Sequence, residues 1–192
     1  MSVKDISEKS PIQTIPRIIG ETTYKAIKVT REAMYANTAA ITTVLGGGQN
    51  GHIGLLMDAA VYGNIAATAY ARPMEPGSYA QHGPGDSAAA QADANAIHEE
   101  GRIIYDLDEN VDAALKQEII AAVNENYLYA KKQRHMGFHG ISAKNLVEHL
   151  MERYRKIWAS DLEACIQALA KSIEVDFRID VYFQRSVRRN PV

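Results

Sequence analysis

Three kinds of residue cluster in this chain have the types and spacing that chemistry uses. Gly46-Gly47-Gly48-Gln49-Asn50-Gly51 matches the G-x-G-x-x-G spacing of a dinucleotide-binding turn. Such a turn brings backbone amides close to a pyrophosphate at a helix N-terminus. It requires a strand before it and an acidic residue on a second strand about 20 residues further on. Here the preceding "AAITTVL" continues a helical pattern, and the required distance falls in a Pro/Gly-rich stretch. No Lys-Ser or Lys-Thr follows Gly51, so the phosphate-loop pattern fails as well. A flexible turn in which Gly51 and Gly54 permit close packing fits the context better. A small nucleotide-binding enzyme using Gly46–Gly51, or a helical RNA-binding or adaptor module, is the alternative to a structural protein.

Carboxylates and histidines form the second kind. Asp106, Asp108 and Asn110 have calcium-loop spacing, but Val111 and Gln117 stand where that loop needs glycine and glutamate. The expectation is a solvated helix end. His135 and His139 are four residues apart, a spacing that suits metal ligation on a helix, but Gly137 and Gly140 make the segment a loop. Asp86-Ser87 resembles a nucleophile only superficially, since no strand–turn–helix elbow surrounds it, and either residue serves as a helix N-cap. No catalytic constellation, metal site or cofactor is expected. The third kind is basic: Arg185, Arg188 and Arg189 cluster near the C-terminus and are the candidate RNA contacts.

The elements that carry these residues read as helices. Thr22 and Thr23 precede a stripe of Tyr24, Ile27, Arg31 and Met34, and the glycine cluster ends that helix. "HIGLLMDAAVYGNIA" fits a short strand and helix, or one helix begun near Asp58. Residues 71–87 hold three prolines and three glycines and form a loop. Residues 87–109 are alanine-rich and helical, and Asn110 or Asp112 can cap a second helix bearing Leu115, Ile119, Ile120, Val123 and Tyr127. Ser142 caps a helix with Leu146, Val147, Leu150, Met151 and Tyr154 on one face. Ser160 caps another with Leu162, Ile166 and Leu169. The pattern predicts an all-α, multi-helix domain with an extended or flexible N-terminal arm over residues 1–20, a Pro/Gly-rich loop, and a basic C-terminal tail over 185–192.

Composition narrows the class. The 192 residues are 46% hydrophobic, enough for a conventional core, and carry a net charge of −2, so the chain as a whole is no polyanion binder. Its single cysteine, Cys165, excludes an intrachain disulfide and a Cys-rich zinc site. The polar N-terminus has no apolar signal segment, and no run approaches the roughly 18 apolar residues of a membrane span. A cytoplasmic protein without membrane contact is expected.

The same stretches resemble one family in consecutive blocks. "GETTYKAIKVTREAMYANTAAITTVLGGGQNGHIGLLMDAAVY" resembles the Gly-Gly-Gly-x-x-Gly-His-(Leu/Ile)-Gly-Leu segment of Gag polyproteins from copia-type LTR retrotransposons. In that family a helix rich in Tyr and Ala precedes the glycines, and a short helix ending in tyrosine, here Tyr62, follows them. Leu115, Lys116, Ala121-Ala122-Val123, Tyr127-Leu128, Leu146, His149, Leu150 and Tyr154 match the next block. "SDLEACIQALAKSIEVDFRIDVYFQR" is similar to the block after it. Arg155 stands where the family usually has glycine, and Arg178 where proline is common. The resemblance implies that residues 21–184 form a helical Gag capsid-like domain. It also implies a structural protein that associates with copies of itself into particles or lattices, in the family around the element's RNA.

Overall fold

A computed structural model describes residues 2–3, 5–6, 14–19, 23–79, 87–154, 162–163 and 166–170. The chain is all-α, and among the described residues the only β pairing is an isolated bridge between Gln133 and Gly137. The chain divides into two units, Met1–Arg155 and Lys156–Val192. In the second, the described residues are helical, and Leu162, Ile166 and Leu169 are each exposed.

The first unit is built on three substantial helices. Helix α1 spans Tyr24–Ala39, and Thr23 caps it as its spacing predicts, its hydroxyl accepting from the Ala26 N–H at 3.2 Å. The helix ends before the "ITTVL" run, not at the glycines. The Ala40 N–H closes its last turn on the carbonyls of Ala36, Asn37 and Thr38, and the β-branched residues that follow favour leaving the helix. A 3₁₀ turn at Leu45–Gly47, a second at Gly51–Leu55 and a single-turn helix α2, Ala59–Tyr62, follow. No strand forms there. The first of the two sequence alternatives for this segment is therefore replaced by 3₁₀ turns.

Helix α3 runs unbroken over Ala88–Ala122, 35 residues, with the Ser87 hydroxyl accepting from the Ala90 N–H. The second helix start expected at Asn110 or Asp112 does not occur. An N-cap needs a side-chain oxygen turned back on its own helix. Asp112 instead spends its Oδ1 on the Ala143 N–H, 3.0 Å away at the start of another helix. That helix, α5 (Ala143–Tyr154), is also capped by Ser142, whose hydroxyl accepts from the Asn145 N–H. Between α3 and α5 lie the single-turn helix α4, Glu125–Leu128, a 3₁₀ turn at Tyr129–Lys131, and the turn around Gly137.

Helix α1 packs on α5 and on the Gly51–Leu55 turn, and the second half of α3 packs on α5. Ile27 and Met34 of α1, Val111, Leu115 and Ile119 of α3, Leu128, and Leu146, Val147 and Leu150 of α5 meet in one core. The N-terminal arm joins it: Ile6 and Ile18 are buried, and the Ile18 N–H donates to the Ala122 carbonyl at 2.8 Å. The arm is thus docked on the core at Ile6 and Ile18, while Ile19 is exposed.

His149 sits in this core and donates from Nε2 to the Tyr127 carbonyl at 3.2 Å. Burial disfavours its charged form and lowers its pKa. A depressed imidazole pKa contributes stability above the unfolded value of about 6.5, and that contribution is lost as pH falls below it. Thermal melts between pH 8 and 5 should show a decline that His149→Gln flattens. Replacing Leu146, fully buried, with alanine should cost about 2–5 kcal/mol in denaturant titration, and Leu150→Asp should leave the chain unfolded by circular dichroism.

Candidate functional site

The polar groups of the first unit converge on Asp108. This residue lies in mid-α3, on the same 3–4 spaced stripe as Val111 and Leu115, and its side chain is only 1% exposed. The expected solvated helix end is thus corrected: Asp106 is exposed, whereas Asp108 is buried. An unpaired carboxylate there would be costly. Two side chains from the segment after the glycine cluster satisfy it, with a third behind them. The Tyr70 hydroxyl donates to Oδ1 at 2.6 Å, and Arg72 Nε donates to Oδ2 at 2.9 Å. His52 lies behind them, its Nδ1 3.0 Å from the Tyr70 oxygen and 3.6 Å from Asp108 Oδ1. Arg72 also reaches Glu109 Oε1 with Nη2 at 2.7 Å.

These distances fix the proton arrangement. With the Tyr70 proton given to Asp108, His52 Nδ1–H donates to the Tyr70 oxygen, and Nε2 is buried with no hydrogen-bond partner. Burial alone would raise the Asp108 carboxyl, but hydrogen bonds from His52 and Tyr70 and the charge of Arg72 outweigh it and hold its pKa below the ordinary value. Burial and the adjacent carboxylate push the Tyr70 phenol strongly upward. A nucleophile or base needs the opposite tuning and access to a substrate. His52 is fully buried, and Tyr70 is committed to Asp108. The cluster acts as a clamp that ties residues 52–72 to α3.

The glycine stretch is shaped by the same clamp. A Cβ on Gly51, at φ 53°, would overlap the Ala39 carbonyl, and one on Gly54 would overlap the Tyr70 ring. Gly51 thus lets the chain cross the end of α1, and Gly54 lets Tyr70 lie flat enough to reach Asp108. The Tyr62 hydroxyl donates to the Gly46 carbonyl at 3.1 Å, and its ring packs edge-on against Tyr70. Asn50 Nδ2 donates to the Ile65 carbonyl. The close-packing role expected for Gly51 and Gly54 is what the geometry shows.

Beside the clamp opens a cleft of about 230 Å³ lined in part by Tyr62, Tyr70, Arg72, Ser142 and Lys144. Its cations are already matched. Lys144 Nζ is 2.8 Å from Asp58 Oδ1 and 3.5 Å from Glu148, and it donates to the Met57 carbonyl. The hydrogen bond from Lys144 keeps the Asp58 carboxyl below its usual range. With Arg72 paired to Asp108 and Glu109, the cleft carries no net positive charge for an anion.

The other sequence candidates are scattered. His135 and His139 are exposed in the turn around Gly137, and among the described residues no group of three His, Cys, Asp or Glu gathers to hold a metal ion. Ser87 is the N-cap of α3. Arg185, Arg188 and Arg189 lie outside the described residues. No described helix is long and apolar enough to cross a membrane. Sequence reasoning missed His52, Tyr70, Arg72 and Asp108 as a group. The available signal was a carboxylate on an apolar helical stripe, which demands distant partners.

Asp108→Ala would strand the Tyr70 and Arg72 donors and should cost about 3–5 kcal/mol near pH 7. A depressed carboxylate pKa contributes stability above the unfolded value of about 3.9 that disappears as pH falls through the folded value. The stability gap between wild type and the variant, measured in urea, should therefore shrink below about pH 4. Gly51→Ala forces a side chain against backbone at positive φ and should cost about 1–3 kcal/mol in the same titration.

The chain matches no family model, no curated protein and no solved structure.

Proposed function

We propose that this chain is a structural protein that associates with copies of itself, in the manner of a Gag capsid domain. The observation that carries this reading is the overhang of α3. Residues 88–103, about 24 Å of helix at 1.5 Å per residue, include no buried side chain, and Ile97 and Ile103 stand 72% and 65% exposed. A long helix projecting from a compact core with isoleucines in solvent is suited to helix-face contacts between subunits. The polar cluster supports the same reading from the other side, because its hydrogen bonds are spent on holding the fold. The ordered blocks that resemble copia-type Gag add independent support over residues 20–185.

The dinucleotide alternative finds less support. The space beside Gly46 is occupied by Tyr62 and that beside Gly51 by the Ala39 and Ile41 carbonyls, and the following 3₁₀ turn buries His52. A short 3₁₀ turn also lacks the aligned peptide dipoles of a full helix N-terminus.

Individually weak contacts suffice when each subunit makes several. Size-exclusion chromatography with light scattering over a concentration series should show mass rising with concentration, and negative-stain images of the leading fractions should show extended or closed assemblies. A constant monomer mass across the series overturns the proposal.

A further inference from the structure

Two surfaces of the first unit are unspent and opposite in character. One is an apolar cleft of about 310 Å³ between the arm and α1, floored by Pro16, Ile18, Ala26 and Val29. Its rim carries Arg17 and Lys25, both exposed and neither in an ion pair among the described residues. The other is a stripe on the α3 overhang: Asp93, Ala96, Ile97, Glu100 and Ile103, all exposed. Their spacing of three and four residues puts them on one helix face. Asp93 and Glu100 have no ion-pair partner among the described residues either. The 71–79 loop packs on the neighbouring flank, through Tyr79 against His98 and Pro76 near Gly101, and leaves this stripe open.

We infer that the acidic, isoleucine-bearing stripe of α3 in one copy docks into the basic apolar cleft between the arm and α1 of the next copy. This rests on the self-association proposed above and assigns its contact. Ile97 supplies the apolar knob for the cleft, and Asp93 and Glu100 meet Arg17 and Lys25. Charge dictates the pairing. Stripe against stripe or cleft against cleft would set like charges opposite one another, which is strongly unfavourable. The contact is therefore head-to-tail, and each subunit keeps a free stripe and a free cleft after the first pairing. Such a contact propagates into a ring or an open array, depending on whether the rotation closes.

Charge exchange tests this directly. Arg17→Glu with Lys25→Glu, or Asp93→Lys with Glu100→Lys, should each weaken association at least about tenfold while leaving the thermal melt in place. Ile97→Asp should do the same. Mixed one to one, the Arg17→Glu/Lys25→Glu variant and the Ile97→Asp variant should form heterodimers that stop there, because only the stripe of the first and the cleft of the second still match. All four substitutions in one chain should restore extended assembly. Equal mass distributions for wild type and both charge variants, with wild type assembling, overturn the assignment and leave self-association standing. A wild-type protein that stays monomeric overturns both. A mixture that fails to pair, or that grows beyond the dimer, overturns the head-to-tail geometry.

Discussion

A carboxylate buried in the middle of a helix has to be answered from somewhere, and the answer organises the segment between α1 and α3. Asp108 occupies a position on the apolar stripe of α3 where a leucine would serve packing as well. Desolvating the charge costs several kcal/mol, and only well-placed donors repay that. Tyr70 and Arg72 provide them from one side and His52 stands behind. The segment between α1 and α3, poor in regular structure, is thereby pinned at three points. Its two 3₁₀ turns and the single turn of α2 bury few large apolar residues, chiefly Leu55, Leu56 and Tyr62, so polar bonds carry an unusual share of its order.

The division between legible and hidden features follows the distance over which a residue finds its partner. Thr23, Ser87 and Ser142 were readable as caps because each closes on an amide three residues away. The stripe of α5 was readable for the same reason, as its periodicity is local. Asp108 pairs with residues 36 and 38 positions away, and Asp112 with one 31 positions away, and neither leaves a local trace beyond a charge on an apolar face. The sequence pattern therefore suggests a second helix start within α3, whereas the Asp112 oxygen that could start one instead caps a different helix. His52 was hidden by its neighbours, since glycines on both sides suggest a loop where the chain in fact buries an imidazole.

Glycine-rich turns invite a phosphate reading because the backbone freedom that cradles an anion also permits tight crossing of two chain segments. Here Gly51 passes the carbonyl of Ala39 and Gly54 accepts the ring of Tyr70, so the freedom is consumed inside the protein. The external resource of the first unit is different in kind: charges without ion-pair partners among the described residues and isoleucines left uncovered on α3.

Helix α3 passes without interruption from the overhang into the core, and this makes it a lever. Ile97 lies 11 residues, about 16 Å of rise, from Asp108. A force applied at the projecting end has no hinge in which to dissipate before it reaches the clamp. Tilting the helix by a few degrees shifts the Asp108 oxygens relative to Tyr70 and Arg72, whose short, directional bonds resist angular error far more than apolar contacts do. The polar cluster is consequently the fulcrum on which α3 bears, and a load on its projecting end is taken up by the bonds of Tyr70 and Arg72 to Asp108.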